Sequence, residues 1–246
     1  MAVIIIITSF ALISIPEKNP KIRSIIKKKN YHTKISSWLF ETIVSPISSF
    51  FKKNSLKVSI GILCFIFLFK IGEAFLGRMS IIFYNEIGFS KTDIALYSKG
   101  IGWITTITFT LLGGLFAIRM GLIKAMFASG IIMSLTNLMF SVLAWVGNSE
   151  ILFAFTVLID DLAAAFATVA FVAFISSLVD RTYTATQYAL LASIGTAGRT
   201  LFASSSGSLV DLLNGNWGIF FIITALMVIP SLLCLLAIKN KLKIND

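Results

Sequence analysis

Apolar residues fill this chain in long runs, and polar residues come in short clusters between them. An α-helix needs about 20 apolar residues to cross a hydrocarbon core about 30 Å thick. Six runs of that size are predicted, near residues 56–83, 93–117, 121–146, 151–178, 186–210 and 217–238. Short polar turns separate them around Gly88, Gly121, Gly147 to Glu150, Asp180 to Tyr183, and Asn214 to Asn216. A seventh apolar run, residues 1–15, is too short to span. It has neither a basic leader nor a small-residue cleavage site, so it reads as the end of a spanning helix whose beginning is missing. Residues 16–55 form a basic linker in which Trp38, Leu39, Ile43, Ile47, Phe50 and Phe51 recur near helical spacing. That pattern suits either a surface helix kinked at Pro46 or a solvated loop. The six-helix bundle then occupies 56–239, with a short tail at 240–246. The fold class is an all-α polytopic membrane protein, with the lipid bilayer as its surroundings.

Composition agrees with that class. The chain is 57% hydrophobic and 13% charged, where a soluble domain runs nearer a quarter charged. Its net charge of +10 would suggest nucleic acid in a soluble protein. Here the cations cluster in the linker and at Arg119, Lys124, Arg181, Lys239, Lys241 and Lys243, against Lys91 and Lys99 on the other side. This is the positive-inside pattern, and it excludes nucleic acid as the partner the charge is for. Both ends of the six-helix unit are expected in the cytoplasm.

Ionisable residues inside apolar runs are the candidate chemistry. A charge at the bilayer centre costs about 2.5–3.5 kcal/mol, so such residues normally face a protein interior or a wet cavity. Lys70, Glu73 and Arg78 lie in the first full run, Lys99 in the second, Asp160 and Asp161 in the fourth and Arg199 in the fifth. Lys70 and Glu73, three apart, either neutralise each other or line a polar path. The third run has Asn137 as its central polar residue, and the sixth has no charge. Four helices therefore share a polar interior, while two face lipid. Ala185, Ala189, Ser193 and Ala197 repeat every four positions, a seam for close helix packing.

An enzyme is not expected. Asp160 and Asp161 are adjacent, so they point about 100° apart on a helix and cannot share a proton as a dyad. There is no Gly-x-Ser-x-Gly, no histidine pair and no phosphate-binding glycine loop. The one histidine, His32, sits in the linker. Cys64 and Cys234 lie in different spans, giving neither a metal site nor a disulfide framework. No cofactor is implied.

Three stretches carry a family resemblance. Gly114-Leu-Phe-Ala-Ile-Arg-Met-Gly121 resembles a degraded loop motif of the major facilitator superfamily, matching at Gly114, Ala117, Arg119 and Gly121 while Ile118 replaces its aspartate. Tyr183-Thr-Ala-Thr-Gln-Tyr-Ala-Leu-Leu191, running on to Gly198-Arg199, is similar to the AmpG-type muropeptide permeases and their acetyl-CoA transporter relatives. Lys70-x-Gly72-Glu73-Ala74-Phe75 resembles the Lys-x-Gly-Asp-Ala-Phe of the same family. Gly88-Phe89, Lys99, Gly102, Gly113-Gly114, Asn137 and Ala170-Phe-Val-Ala173 match in order over roughly residues 56 to 240.

The resemblance implies twelve helices in two halves, each half a pair of inverted three-helix repeats. This chain corresponds to the C-terminal half. The implied activity is proton-coupled import of anhydromuropeptides across a bacterial inner membrane, for cell-wall recycling. Glu73 paired with Lys70 is the first candidate for proton coupling, and Asp160 or Asp161 the second. Arg199 and Lys99 would hold substrate carboxylates or pair with those acids. Asn137 joins the cavity, and Gln187 either hydrogen-bonds a sugar or caps its helix. Half a permease would need a separate N-terminal half or a second copy of itself, or would be inactive alone. A scaffold that transports nothing is the remaining reading.

Overall fold

Glycine ends the helices where the apolar runs stop. In the computed structural model, which describes residues 44–242 apart from 101 and 181, Gly88, Gly121, Gly147 and Gly215 all have positive φ and each sits at a turn. Only glycine takes that conformation without a Cβ penalty, so the polypeptide reverses there. The chain divides into two units, Met1–Val44 and Ser45–Asp246, and the helices below belong to the second. The expected incomplete span at 1–15 and most of the linker lie outside the described residues.

The described residues contain helices and turns and no strand. A short helix, α1 (Ser45–Lys53), comes first, with Pro46 in its opening turn. A proline in that turn forfeits an N–H that has no partner within α1 anyway. Then follow α2 (Leu56–Leu68), α3 (Ile71–Ile87), α4 (Lys91–Ala95), α5 (Gly102–Met120), α6 (Leu122–Val146) and α7 (Glu150–Leu178). The last are α8 (Thr184–Ala203), α9 (Ser206–Leu212), α10 (Trp217–Leu226) and α11 (Ile229–Ile238).

Four stretches are long and apolar enough to cross a membrane: Leu56–Ile87, Leu122–Val146, Glu150–Leu178 and Trp217–Lys241. The protein is a multi-pass membrane protein. The other two expected runs are interrupted. A π turn, Leu96–Gly100, separates α4 from α5, leaving Ile104–Met120 as a shorter apolar helix. Between α8 and α9, the hydroxyls of Ser204 and Ser205 donate to the carbonyls of Leu201 and Phe202. Serine side chains that bond back to the preceding turn compete with the helical ladder and bend it.

Two apolar cores form, one at each end of the bundle. The first joins Phe50, Phe65, Phe69, Met126, Phe174, Leu191 and Leu235, and the second joins Phe75, Phe83, Tyr84, Phe140, Phe153, Trp217 and Phe221. Phe116, Leu122, Leu178 and Ile238 all pack into the first core. That end therefore collects the exposed Lys52, Lys53, Lys57, Arg119, Lys124, Lys239 and Lys241. Between the cores lies a polar layer.

Candidate functional site

The polar layer starts where α2 gives way to α3. Lys70 occupies the junction with φ −99° and ψ 12°, outside ideal helical geometry. Two residues on, Gly72 lies against α10: a Cβ there would be 2.7 Å from the Thr224 carbonyl oxygen and 2.9 Å from a Val228 methyl. Only glycine permits that approach. The junction thus presses on the break between α10 and α11, and two interrupted helices meet in the middle of the bundle.

Around this junction the buried charges find partners. Lys70, 9% exposed, donates to the Thr168 hydroxyl at 2.7 Å and to Glu73 Oε1 at 3.3 Å, and its ammonium is 3.0 Å from Glu73 Oε2. Oε2 has ion-pair distance without hydrogen-bond alignment, so it is charge-balanced yet accepts no hydrogen bond among the described residues. Arg199 of α8 approaches the same carboxylate more loosely, with Nη2 4.0 Å from Oε1 and its side chain 52% exposed. Lys70, Glu73 and Arg199 therefore form one group.

The other candidates divide. Asp160 Oδ1 accepts from Thr136 of α6 at 3.2 Å, whereas Asp161 Oδ2 accepts from Thr105 of α5 at 2.7 Å. The adjacent carboxylates face different helices, as their helical phase requires. Asn137 is buried and donates to the Thr224 hydroxyl at 3.1 Å, tying α6 to α10 beside Gly72, while its Oδ1 accepts nothing among the described residues. Lys99 belongs to the π turn, and its side chain lies outside what the structure describes.

Gln187 sits apart from the group. Its Nε2 donates to the Pro46 carbonyl at 2.9 Å, and its Oε1 accepts from the Asp180 amide at 2.6 Å. The side chain is buried, and both ends of its amide are engaged by main chain. Its setting is a latch holding α1 against the turn before α8. Ser49 also donates to Asp180 Oδ2 at 3.1 Å, and Lys53 donates to the Leu178 carbonyl at 3.4 Å.

The four small residues of α8 are uncovered. Ala185, Ala189, Ser193 and Ala197 are all exposed. Within the chain α8 packs through a different stripe, Gln187, Leu191, Gly195 and Gly198. A Cβ on Gly198 would collide with the carbonyl of Phe67, and one on Gly195 would come within 2.9 Å of the Phe171 ring. The expected packing seam is thus free of partners from the described residues, and the glycines make the contact.

The sequence does not single out Thr168, Thr136 or Thr105, which the structure sets against Lys70, Asp160 and Asp161. A threonine in an apolar run is unremarkable until a charged neighbour on another helix turns to it. Arg78 stands out in its run, and the structure places it with Arg199 on one cavity. Among the described residues no three His, Cys, Asp or Glu side chains gather in a way that could hold a metal ion. Cys64 of α2 and Cys234 of α11 are both free thiols, with sulfurs 3.6 Å apart.

Comparison with known proteins places relatives beside this geometry. No family model matches the chain. The transporter AmpG 4 of Rickettsia conorii is 30% identical over 249 residues, covering 99% of this chain and 56% of that protein. AmpG 1 of Rickettsia prowazekii is 30% identical over 87% of this chain and 49% of its own length. The anhydromuropeptide permease of Escherichia coli is 27% identical over 85% of this chain and 42% of its own. The chain spans about half the length of the curated relatives it matches.

Proposed function

The chain is a homologue of the AmpG-named transporters, and on that premise we propose that it forms the C-terminal half of a permease for anhydromuropeptides. The relatives are named transporters and a permease, which are not enzymes. The observation that carries the proposal is the group Lys70, Glu73 and Arg199. It is a costly set of charges, gathered between two apolar cores in a protein whose relatives move solutes. Charges held within a span and turned toward one another mark solute or ion pathways. In our reading six helices, α2–α3 and α4–α5 among them, form two inverted repeats, the basic end faces the cytoplasm and the bilayer is a bacterial inner membrane. Glu73 carries the coupling proton, with Asp160 and Asp161 next in order. Arg199 and Lys99 bind acidic groups of the solute.

A companion reading is that this chain needs a second chain to work. It rests on the uncovered stripe Ala185, Ala189, Ser193 and Ala197. Small residues four apart let another helix approach closely, and in a bilayer such packing is a main driver of association. The partner is a separate N-terminal half or a second copy, and transport arises by rocking one half against the other. Proton-driven uptake of labelled anhydromuropeptide into vesicles tests both readings, with the chain alone and with an N-terminal half of a related permease. Uptake only in the pair supports the companion reading, uptake by the chain alone overturns it, and uptake by neither overturns the permease.

A further inference from the structure

A cavity of about 330 Å³ opens between α3 and α8, beside the charged group, lined by Ala74, Gly77, Arg78, Arg199, Thr200 and Ser204 with Ala203. Two guanidinium groups line it and no carboxylate does. Arg78 makes no ion pair or hydrogen bond among the described residues, although it lies within a membrane span. Arg199 has only the long 4.0 Å contact to Glu73, which Lys70 holds at 3.0 Å. The cavity therefore has an excess of weakly engaged positive charge. Guanidinium forks bind planar oxyanions in pairs of parallel hydrogen bonds. The hydroxyls of Thr200 and Ser204 donate to the carbonyls of Thr196 and Leu201, which leaves their lone pairs to accept. Small walls at Ala74 and Gly77 leave room, since a Cβ on Gly77 would meet nothing within 4 Å.

We propose that this cavity is a binding site for a carboxylate, held between Arg78 and Arg199, on a solute that also carries N–H or O–H donors for Thr200 and Ser204. An N-acylated amino acid or a hydroxy acid has that chemistry. The proposal rests on the transporter reading above and adds Arg78 as a specificity residue. Glu73 is the internal rival for Arg199.

Phenylglyoxal labelling of arginine tests the site, read by mass spectrometry on the full chain in nanodiscs with Arg119 as reference. The probes are an anhydromuramyl tripeptide, the same compound with its carboxyls amidated, and N-acetylglutamate. Acidic probes are expected to slow labelling of Arg78 and Arg199 several-fold while leaving Arg119 unchanged, and the amidated compound to protect neither. Arg78→Gln should remove the preference for acid over amide. Protection by N-acetylglutamate but not by the tripeptide keeps the site and removes the muropeptide reading. Binding of the tripeptide by equilibrium dialysis with both arginines still labelled does the reverse. Equal protection by acid and amide, or none by any probe, overturns the site.

Discussion

Lys70 and Glu73 are bound to each other at 3.0 Å on the turn that breaks one membrane span into α2 and α3. Each is the other's closest compensating charge, and both are mostly buried, with side chains 11% and 17% exposed. Removing one member of a buried pair leaves the other uncompensated, at a cost of about 3–5 kcal/mol. Lys70→Met should therefore lower thermal stability in detergent strongly. The double change Lys70→Met with Glu73→Gln should recover part of the loss, because a neutral pair has no orphan charge. Additive losses in that double-mutant cycle would mean the pair contributes nothing.

Packing of α8 on α2 depends on a missing side chain. Gly198→Ala would drive a methyl into the Phe67 carbonyl, and overpacking of this kind costs about 1–3 kcal/mol. Gly114→Ala is the control, since nothing lies within 4 Å of that position. Its melting temperature should stay level or rise. Equal melting temperatures for the two variants would contradict the contact.

The thiols of Cys64 and Cys234 report on α2 against α11. With sulfurs 3.6 Å apart, brief exposure to copper phenanthroline should form an intramolecular disulfide. Peptide mapping should find the bond within one chain, and Cys64→Ser should abolish it. A disulfide found only between chains would mean that these helices do not pack as described.

Acid should release α1. The Asp180 carboxyl is held below the usual carboxylate range, first by the Thr182 amide, then by the Ser49 hydroxyl, with Lys53 adding a smaller attraction. A depressed folded value means that the latch is at full strength above the ordinary carboxylate pKa of about 4. It weakens as pH falls from there through the lower folded value. Hydrogen exchange in α1 should rise over that window in the native protein. Asp180→Asn should exchange faster at neutral pH and lose most of the pH dependence.

The free face of α8 should matter only to assembly. Ala189 is exposed, so Ala189→Leu is expected to change the stability of the chain alone by no more than about 0.5 kcal/mol. Co-purification with an N-terminal half, or self-association in a native gel, should fall sharply. Unaltered association would move the docking face elsewhere.

Residues alone show that the chain belongs in a bilayer and where it reverses between apolar runs. Run lengths and the glycines at 88, 121, 147 and 215 mark four chain reversals, while the breaks near Lys70, at Leu96–Gly100, at Ser204–Ser205 and at Met227–Val228 fall inside apolar runs and leave no mark in the pattern. The pairing of Lys70 with Glu73 was legible as well, because residues three apart on a helix are neighbours whatever the fold. Which face of each helix meets which neighbour depends on the assembled bundle. Ala185, Ala189, Ser193 and Ala197 looked like the seam of α8, yet the buried stripe is Gln187, Leu191, Gly195 and Gly198. Gln187 reaches Pro46, Lys70 reaches Thr168, and the adjacent Asp160 and Asp161 turn to different helices. In water, an amphipathic stripe names the buried face. In a bilayer the lipid is as apolar as the core, so hydrophobicity no longer separates inside from outside. Close approach of backbones and hydrogen bonds between distant residues choose the face, and these exist only once the helices are together.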